Sequence, residues 1–524
     1  MGKWTVNIRS LTAALAGALM ATTALSAAAM AAELVMEPLG THATGIFDEG
    51  ASEIVTYDAT AQRLYVVNAD AKTVDILDIS DPSRLKEAGK LDAAALGKQG
   101  TSVAVHDGLI AVAISADPKT ANGKLGFFDA QGKLLNAVDV GANPDMVTFT
   151  PDGKYALVAN EGEPNDAYTV DPVGSVSVVD LTGGVENATV KTAGFEAFDG
   201  KPLPKGLRIA KPGATVSQDM EPEYIAVSKD GRTAWVTLQE NNGIAILDIP
   251  SATVKKMVGL GYKDWSKSAL DPSNKDGGVR IQPWPVWGMY QPDSIAAFEV
   301  DGKTYLVIAN EGDARDYDGF SEETRVKKLD LDPTVFPPEK NLQNDAQLGR
   351  LKVTTTMGDE NGDGKYEKLY AFGGRSFSIL DADGAMIFDS GDDLERRTAR
   401  ALPGQFNNDN DENKPDGRSD DKGPEPEGVA VGEVDGVTYA FIGLERIGGI
   451  MAYDVSDPAR PRFAGYVNTR NFKVEPEAGK AAGDVGPEGM AFIPAASSPN
   501  GEPLLAVGFE VSGSTTIYSL KPKK

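Results

Sequence analysis

Beyond residue 50, short runs of β-branched and aromatic residues alternate with clusters of Gly, Asp, Asn and Pro, and helical periodicity is almost absent. Apolar runs of this length, separated by turn residues, are typical of antiparallel β-strands. A long series of such strands without intervening helices predicts an all-β fold.

The strands recur in similar sets. A first strand often opens on Pro followed by an acidic residue, as in NPDMVTFT, EPEYIAVS, QPDSIAAF, EPEGVAVG and GPEGMAFI. A turn such as PDGK or VDGK follows, then a second strand such as YALVANEG and a third such as GSVSVVDL. A fourth strand is visible in KLLNAVDVG and PRFAGYVNT. Repeated units of four antiparallel strands indicate a β-propeller.

Seven such sets begin near Glu53, Thr101, Asp145, Glu223, Asp293, Glu427 and Glu488. The last set has three strands, and residues 34–45 supply its missing outer strand, which closes the ring and removes its free edges. The sequence therefore predicts a seven-bladed β-propeller of four-stranded antiparallel blades, closed by an N-terminal strand, with long loop insertions. An eight-bladed ring and a β-sandwich with separate domains are the alternatives.

The N-terminus is typical of a secretory signal peptide. Lys3 and Arg9 precede an apolar run of small residues, and residues 29–31 (AMA) fit a cleavage site. We predict a signal peptide over residues 1–31 and export to a periplasm or to the medium. A transmembrane anchor is the alternative, but the Ala-rich run and its small-residue exit argue against it. No lipid-anchor cysteine or hydrophobic C-terminal tail is present.

We predict a single propeller domain over residues 32–524. It carries four long insertions, at about residues 181–220, 263–290, 314–368 and 394–424, the last rich in Asp and Asn. Loops of this length inside a compact domain are functional or disordered more often than decorative.

Composition excludes several functional classes. The formal net charge of −26 argues against a nucleic-acid partner and favours a cationic partner or bound metal. The chain has no Cys and two His, His42 and His106, which excludes thiol chemistry and cysteine zinc sites and argues against a Ser-His-Asp triad. We expect a monomer with no transmembrane segment in the mature chain.

Acidic residues recur at fixed places in the repeat. In an antiparallel pair, the acid that opens the first strand lies beside the acid that closes the second, so both belong at the mouth of the central channel. These pairs are Asp145 with Glu161, Glu223 with Glu240, Asp293 with Glu311, Glu427 with Glu445, and Glu488 with Glu510. Crowded carboxylates repel one another, and all-oxygen ligation suits Ca²⁺, in one site or several, with a second divalent metal also compatible. The alternative is that these acids cap turns.

A second candidate calcium loop is GDENGDGKYEKL, with oxygen ligands at Asp359, Asn361, Asp363 and Glu367. D-x-N-x-D-G resembles the start of an EF-hand loop, but position twelve is Tyr370 and no helices are predicted on either side. The sequence therefore predicts a shorter calcium loop, with a solvated acidic hairpin as the alternative.

Four arginines map near the acidic face: Arg315, Arg325, Arg375 and Arg446. Arg315, Arg375 and Arg446 are our candidate catalytic residues, because arginine beside a metal cluster can grip a phosphate or carboxylate. Salt bridges that neutralise the mouth are the alternative.

Four segments resemble the choice-of-anchor I family: ANEGDARDYDGFSEETRV, YAFGGRSFSILD, RSDDKGPEPEGVAVG and GPEGMAFI. That family includes atypical alkaline phosphatase-like proteins and mesenchyme-specific cell-surface glycoproteins. The resemblance implies a secreted propeller with calcium and phosphomonoesterase activity. The C-terminal anchoring module of the family is not recognisable, which puts surface attachment in doubt.

The leading functional hypothesis is an exported calcium-dependent phosphoesterase that acts on a small phosphorylated substrate, with metal ions polarising the phosphoryl oxygen. A non-catalytic calcium-binding scaffold for a partner or surface is the first alternative. A metal-dependent lactonase-type hydrolase is the second.

Overall fold

The computed structural model describes residues 1–2 and 33–523 of the chain. The predicted signal peptide lies outside these residues except for its first two positions. Among the helices that the structure describes, none is long and apolar enough to cross a bilayer. The described chain consists largely of strands, which confirms the prediction of an all-β fold.

Seven antiparallel sheets of four strands each form the body of the protein. Sheet 1 contains Val55–Asp58, Arg63–Asn68, Thr73–Asp78 and Lys86–Asp92. Sheet 2 contains Gln99–His106, Leu109–Ser115, Asn122–Phe128 and Leu134–Ala142. Sheet 3 contains Pro144–Phe149, Tyr155–Asn160, Ser175–Asp180 and Thr189–Gly194. Sheet 4 contains Pro222–Val227, Thr233–Leu238, Gly243–Asp248 and Thr253–Gly259.

The remaining three sheets complete the set. Sheet 5 contains Ile295–Val300, Lys303–Asn310, Ser376–Asp381 and Met386–Asp389. Sheet 6 contains Pro426–Val434, Val437–Leu444, Ile450–Asp454 and Arg462–Val467. Sheet 7 contains Pro487–Ile493, Leu504–Phe509, Ser514–Pro522 and, at its outer edge, Leu34–Ala43. That outer strand is antiparallel to the last strand of the chain, with Thr41 opposite Thr516 and their hydroxyl oxygens 2.8 Å apart.

The first strands of the sheets lie at the centre of a β-propeller arrangement. Each first strand contacts the first strand of the next sheet, and that of sheet 7 contacts that of sheet 1. Apolar side chains fill the space between neighbouring sheets: Trp235 of sheet 4 packs with Leu306 and Ile308 of sheet 5, and Phe441 of sheet 6 with Phe509 of sheet 7. Each such burial stabilises the fold by roughly 1.5–3 kcal/mol.

The predicted insertions contain secondary structure that the sequence pattern did not reveal. Two of them contribute to an additional five-stranded sheet, made of Tyr262–Asp264, Trp287–Met289, Tyr370–Ala371, Lys352–Thr354 and Glu323–Arg325. Asp316–Tyr317 pairs with Phe320–Ser321, and the segment at 394–424 begins with the helix Asp393–Ala401. The other helical segments are Val185–Asn187, Glu196–Phe198, Val216–Asp219, Val326–Lys328, Pro338–Lys340 and Pro476–Ala482. Strands of two or three residues are too short to show a period, so this sheet was not predictable.

Candidate functional site

A backbone irregularity marks the entry of four first strands. In sheets 3, 4, 6 and 7 the pairing register shifts just after the entry proline, between Pro144 and Val147 in sheet 3 for example. Proline has no N–H to donate to the ladder, and a bulge re-aims the side chains within it. The residue inside the bulge is the acid, so the Pro-acid motif turns a carboxylate away from the sheet.

These carboxylates line a central cavity of about 130 Å³. Its acidic walls are Asp145, Glu161, Glu223, Asp293, Glu427 and Glu488. Thr101 and Ser102 line it from sheet 2, whose sequence lacks the Pro-acid entry. The structure therefore gathers acids from five different sheets around one cavity.

The second strands of sheets 3 and 5 both end in Asn-Glu-Gly, and each of these three residues has a different structural role. Asn310 donates to the hydroxyls of Ser376 (3.0 Å) and Ser378 (2.8 Å) on the third strand, and Asn160 makes the equivalent contacts in sheet 3. Gly312 has φ 96°, and a Cβ there would lie 2.2 Å from the backbone nitrogen of Gly373. The anchored Asn and the left-handed Gly hold the Glu between them at the mouth.

The structure brings each predicted acid pair together. We call the mouth cluster the set Glu53, Asp145, Glu161, Glu223, Glu240, Asp293, Glu311, Glu427, Glu445, Glu488 and Glu510. Burial and then the partner's charge raise the pKa of Glu223 beside Glu240, and of Glu427 beside Glu445, well above the usual range.

The pKa values of the cluster show how poorly its charges are compensated. Burial and the charges of Glu510 and Asp145 raise the pKa of Glu53 to about 8. Burial is also the largest cause that raises the pKa values of Glu240 and Glu510 to about 7. Without a cation, part of the cluster must therefore be protonated at neutral pH.

Three groups of carboxylate oxygens, each within 4.8 Å of one another, could each hold a metal ion. They are Asp293 with Glu311 and Glu427, Glu427 with Glu445 and Glu510, and Glu311 with Glu425 and Glu445. Among the described residues, one buried carboxylate oxygen of each of Glu223, Glu240, Glu427 and Glu488 makes no hydrogen bond. Oxygen-only ligand sets of this kind suit a hard divalent cation.

Protein cations neutralise one side of the mouth cluster. Lys422 Nζ lies 2.8 Å from Glu311 Oε1 and 3.3 Å from Glu425 Oε2. Arg446 Nε lies 3.0 Å from Glu425 Oε2 and 3.1 Å from Glu445 Oε1. Lys422, Arg446, Arg418 and Lys352 also line an adjacent cleft of about 230 Å³, together with acids such as Asp313 and Asp421.

The other predicted arginines are held by internal partners. Arg315 is fully buried and forms an ion pair with Glu221, and its Nη2 donates to the Asp219 carbonyl at 2.9 Å. Arg325 pairs with Asp420 and is part-buried.

Arg375 is nearly inaccessible, and both Nη atoms of its guanidinium donate to protein oxygens. Nη1 donates to the Asp271 carbonyl (2.9 Å) and to Glu395 Oε1 (2.7 Å). Nη2 donates to the carbonyls of Ser419 (2.8 Å) and Asp421 (2.7 Å). These four bonds leave Arg375 in a position to organise the surrounding loops.

The second candidate calcium loop is an exposed turn. Asp359, Asp363 and Glu367 bring carboxylate oxygens within 4.8 Å of one another. Asp359 accepts from the backbone N–H groups of Gly362 (2.8 Å) and Gly364 (2.9 Å), and Asn361 Nδ2 donates to Glu367 Oε1 at 2.6 Å. The loop is thus closed by its own hydrogen bonds.

Two acids and one cation at the mouth were not predicted from the sequence. Glu221 and Glu425 each precede an entry proline, in the EPE segments of sheets 4 and 6, and both are buried. The repeated Glu-Pro-Glu was the available signal. An acid two positions before a mouth acid is close to it along the chain and therefore also lies near the mouth. No sequence motif marks Lys422, because it lies near Glu311 only in the tertiary structure.

The model of the choice-of-anchor I domain matches residues 53–458. The chain belongs to the choice-of-anchor I family. This confirms the predicted family, and three of the four sequence segments lie within the matched residues.

Two relatives are similar to this choice-of-anchor I protein over parts of its length. Gigasin-3a of Magallana gigas is 32% identical over 192 residues, which cover 34% of this chain and 67% of the relative. The mesenchyme-specific cell surface glycoprotein of Strongylocentrotus purpuratus is 27% identical over 286 residues, which cover 48% of this chain and 37% of the relative. The alignment thus spans well under half of the second relative's length.

Solved structures with similar chains include hydrazine synthase of Kuenenia stuttgartiensis, at 14% identity and a TM-score of 0.49, covering 91% of this chain and 97% of that chain. The β-propeller domain of Myceliophteria thermophila Cps50 (Swd1) is 11% identical with a TM-score of 0.44, covering 93% and 100%.

Proposed function

We propose that this protein is an exported, non-catalytic β-propeller scaffold that binds calcium through its mouth cluster and presents that face to a partner or surface. The observation that carries the proposal is the set of buried, unpartnered carboxylate oxygens on Glu223, Glu427 and Glu488 around the central cavity. A carboxylate in that state is costly unless a cation neutralises it.

We infer that the seven sheets are the blades of a closed seven-bladed ring. Support comes from the succession of contacts between first strands and from the pairing of Leu34–Ala43 with the last strand. A closed ring is needed for the proposal, because it fixes acids from different sheets around one axis.

Two of the three carboxylate groups share Glu427, so its side chain can bridge two calcium ions. In the third group every acid pairs with Lys422 or Arg446, whereas Asp293, Glu427 and Glu510 form no ion pair with any residue that the structure describes. We therefore expect calcium on the Asp293 and Glu510 sides of the cluster and protein cations on the Glu425 side.

An extracellular or surface location fits this role. One relative is named a cell surface glycoprotein, and the N-terminal sequence is typical of export. We propose a periplasmic or secreted location, where calcium is abundant enough to saturate sites of moderate affinity.

The test is calorimetric titration of chelator-treated protein with CaCl₂, and separately with MgCl₂. Glu427→Gln should weaken calcium binding at the mouth by about tenfold or more. Glu433→Gln is the matched control, since Glu433 is exposed on the same strand. Equal calcium binding by both variants and the wild type would refute the proposal.

A calcium-dependent phosphoesterase is a second candidate, favoured by the cleft in which Arg446 and Lys422 lie beside the carboxylates. Each cation of that cleft is already paired with an acid, Arg418 with Glu425 for example, which favours the scaffold. Turnover of p-nitrophenyl phosphate that requires calcium and is lost in Arg446→Gln, Asp293→Asn and Glu427→Gln would establish the enzyme instead. Absence of turnover in the calcium-loaded protein would exclude it for this substrate.

A further inference from the structure

Two arginines of the insertion at 314–368 converge on one carboxylate oxygen. Arg325 Nη1 lies 2.5 Å and Arg350 Nη2 lies 2.7 Å from Asp420 Oδ2. Arg325 Nη1 also donates to the backbone carbonyl of Arg350. Asp420 is 3% exposed, so one buried negative charge fixes two guanidinium groups beside each other. None of these three residues belongs to the mouth cluster.

Arg325 keeps the bidentate edge of its guanidinium free. Nε and Nη2 form that edge, and neither makes a hydrogen bond to any residue that the structure describes. Neither is among the buried side-chain atoms that lack a partner, so both reach solvent. The same holds for Nη1 of Arg350, whose Nε donates to Asn274 Oδ1 at 3.2 Å. Three nitrogens of the arginine pair are therefore available to a ligand.

A lysine adds positive charge beside the arginine pair. The Lys327 backbone N–H donates at 3.1 Å to the carbonyl of the residue before Arg350, and Lys327 Nζ lies 2.8 Å from Asp345 Oδ1. We call Arg325, Lys327, Arg350, Asp345 and Asp420 the basic patch. Its three cations exceed its two carboxylates, in a chain whose formal net charge is −26.

Asp345 already brings an anion of the protein to this surface. Its side chain is half exposed, and its carboxylate contacts Lys327 from a loop. The hydrogen bond from Lys327, followed by the charges of Lys327, Arg350 and Arg325, lowers the pKa of this carboxyl group. Asp345 makes no ion pair with either arginine among the described residues, so the free edge of Arg325 stays open.

We propose that the basic patch binds a tetrahedral oxyanion, as a sulfate or phosphate group of a partner or as the free ion. The planar edge of Arg325 matches two oxygens of such a group. A third oxygen can accept from Arg350 Nη1, whereas a carboxylate has only two oxygens to share among the three free nitrogens. The site lies outside the mouth cluster and stands whether or not the mouth binds calcium.

The competing explanation is that Arg325 and Arg350 only hold Asp420 in place and bind nothing else. Arg325→Gln and Arg325→Lys separate the two explanations. Glutamine removes both the charge and the bidentate edge, whereas lysine keeps a charge beside Asp420 without the planar edge. A purely structural pair predicts no saturable anion binding in any of the proteins.

The experiment is calorimetric titration of chelator-treated, dialysed protein with sodium sulfate at constant ionic strength. Arg325→Gln should weaken sulfate binding by about tenfold or more, and Arg325→Lys by a smaller factor. Arg84→Gln is the matched control, because Arg84 is exposed in the loop before the last strand of sheet 1, and it should bind as the wild type does. Wild-type affinity in either Arg325 variant, or no saturable binding by the wild type, would overturn the proposal.

Further titrants define the ligand. Inorganic phosphate should bind as sulfate does, and acetate should bind about tenfold more weakly because it offers one oxygen fewer to the patch. Acetate binding as tight as sulfate binding would overturn the choice of a tetrahedral group. O-phosphoserine distinguishes the sources: tighter binding than inorganic phosphate assigns the group to a partner, and weaker binding assigns the free ion.

Asp345→Asn covers the case in which the Arg325 variants fail to fold. Asp345 is exposed, so the fold should tolerate the substitution. Loss of this carboxylate leaves Lys327 without its counter-ion, and sulfate affinity should rise by about threefold or more. Unchanged or weaker sulfate binding by the folded Asp345→Asn protein would overturn the proposal.

Discussion

Arg208 and Glu322 form a bidentate ion pair in the interior of the protein. Arg208 Nη1 lies 2.5 Å from Glu322 Oε2, Arg208 Nη2 lies 2.7 Å from Glu322 Oε1, and both side chains are almost completely buried. Arg208 belongs to the predicted insertion at 181–220 and Glu322 to that at 314–368. One ion pair therefore connects two insertions that lie far apart in sequence.

Removing one partner of this pair should be strongly destabilising. Glu322→Gln leaves the Arg208 charge buried without its counter-ion, and we expect a loss of about 3–5 kcal/mol in the free energy of unfolding. Urea denaturation measures it, with the half-buried Glu323→Gln as a neighbouring control. A loss similar to that of the control would contradict the structural importance of the pair.

Calcium should change the pH dependence of stability. The pKa of Glu53 is raised from 4.5 to about 8, and those of Glu240 and Glu510 to about 7. Between these limits the folded, metal-free protein binds more protons than the unfolded chain, so its stability should fall as pH rises from about 4.5 to about 8. Calcium binds the deprotonated cluster, so the gain in Tm on adding calcium should grow over the same range. A gain independent of pH would contradict this.

Lys422 acts as an internal cation at the mouth. Lys422→Gln leaves Glu311 and Glu425 without its charge, so the chelated protein should lose about 3–5 kcal/mol of stability. Calcium should raise the stability of Lys422→Gln by more than it raises the stability of the wild type. Thermal unfolding with and without calcium tests it, and Lys303→Gln, exposed in sheet 5, is the control. An identical calcium response in both variants would contradict the prediction.

Gly312 supports the position of Glu311. Gly312→Ala adds a Cβ 2.2 Å from the Gly373 nitrogen at a residue with φ 96°, and should cost about 1–3 kcal/mol and weaken calcium binding. Gly302→Ala isolates the clash, because Gly302 also has a positive φ, 71°, but no atom within 4 Å of the added Cβ. Equal losses in the two variants would show that the close approach to Gly373 has no energetic weight.

Substitution of Arg375 tests whether this arginine has a structural or a catalytic role. Lysine cannot reproduce its four hydrogen bonds, so Arg375→Lys should lower the free energy of unfolding by at least about 2 kcal/mol. The exposed Arg400→Lys is the control. A variant with wild-type stability and no phosphatase turnover, in a protein that shows turnover, would assign Arg375 to catalysis instead.

The sequence by itself determined the all-β fold, the repeated strand sets and the acids that belong to each repeat. These features are local: strand periodicity, turn residues and the Pro-acid and Asn-Glu-Gly motifs depend on neighbours a few positions away. Antiparallel geometry then sufficed to pair Glu427 with Glu445. When two consecutive strands are joined by a short turn, the second strand ends beside the start of the first.

Only the tertiary structure decided how the insertions fold and which charges meet across them. The pairing of Arg208 with Glu322, the approach of Lys422 to Glu311, and the bonds of Arg375 to both Asp271 and Glu395 join segments that no sequence period relates. Such contacts depend on the three-dimensional path of long loops, and each residue taken alone looks like ordinary surface charge. Burial turns those charges into specific interactions, and burial is a property of the whole fold.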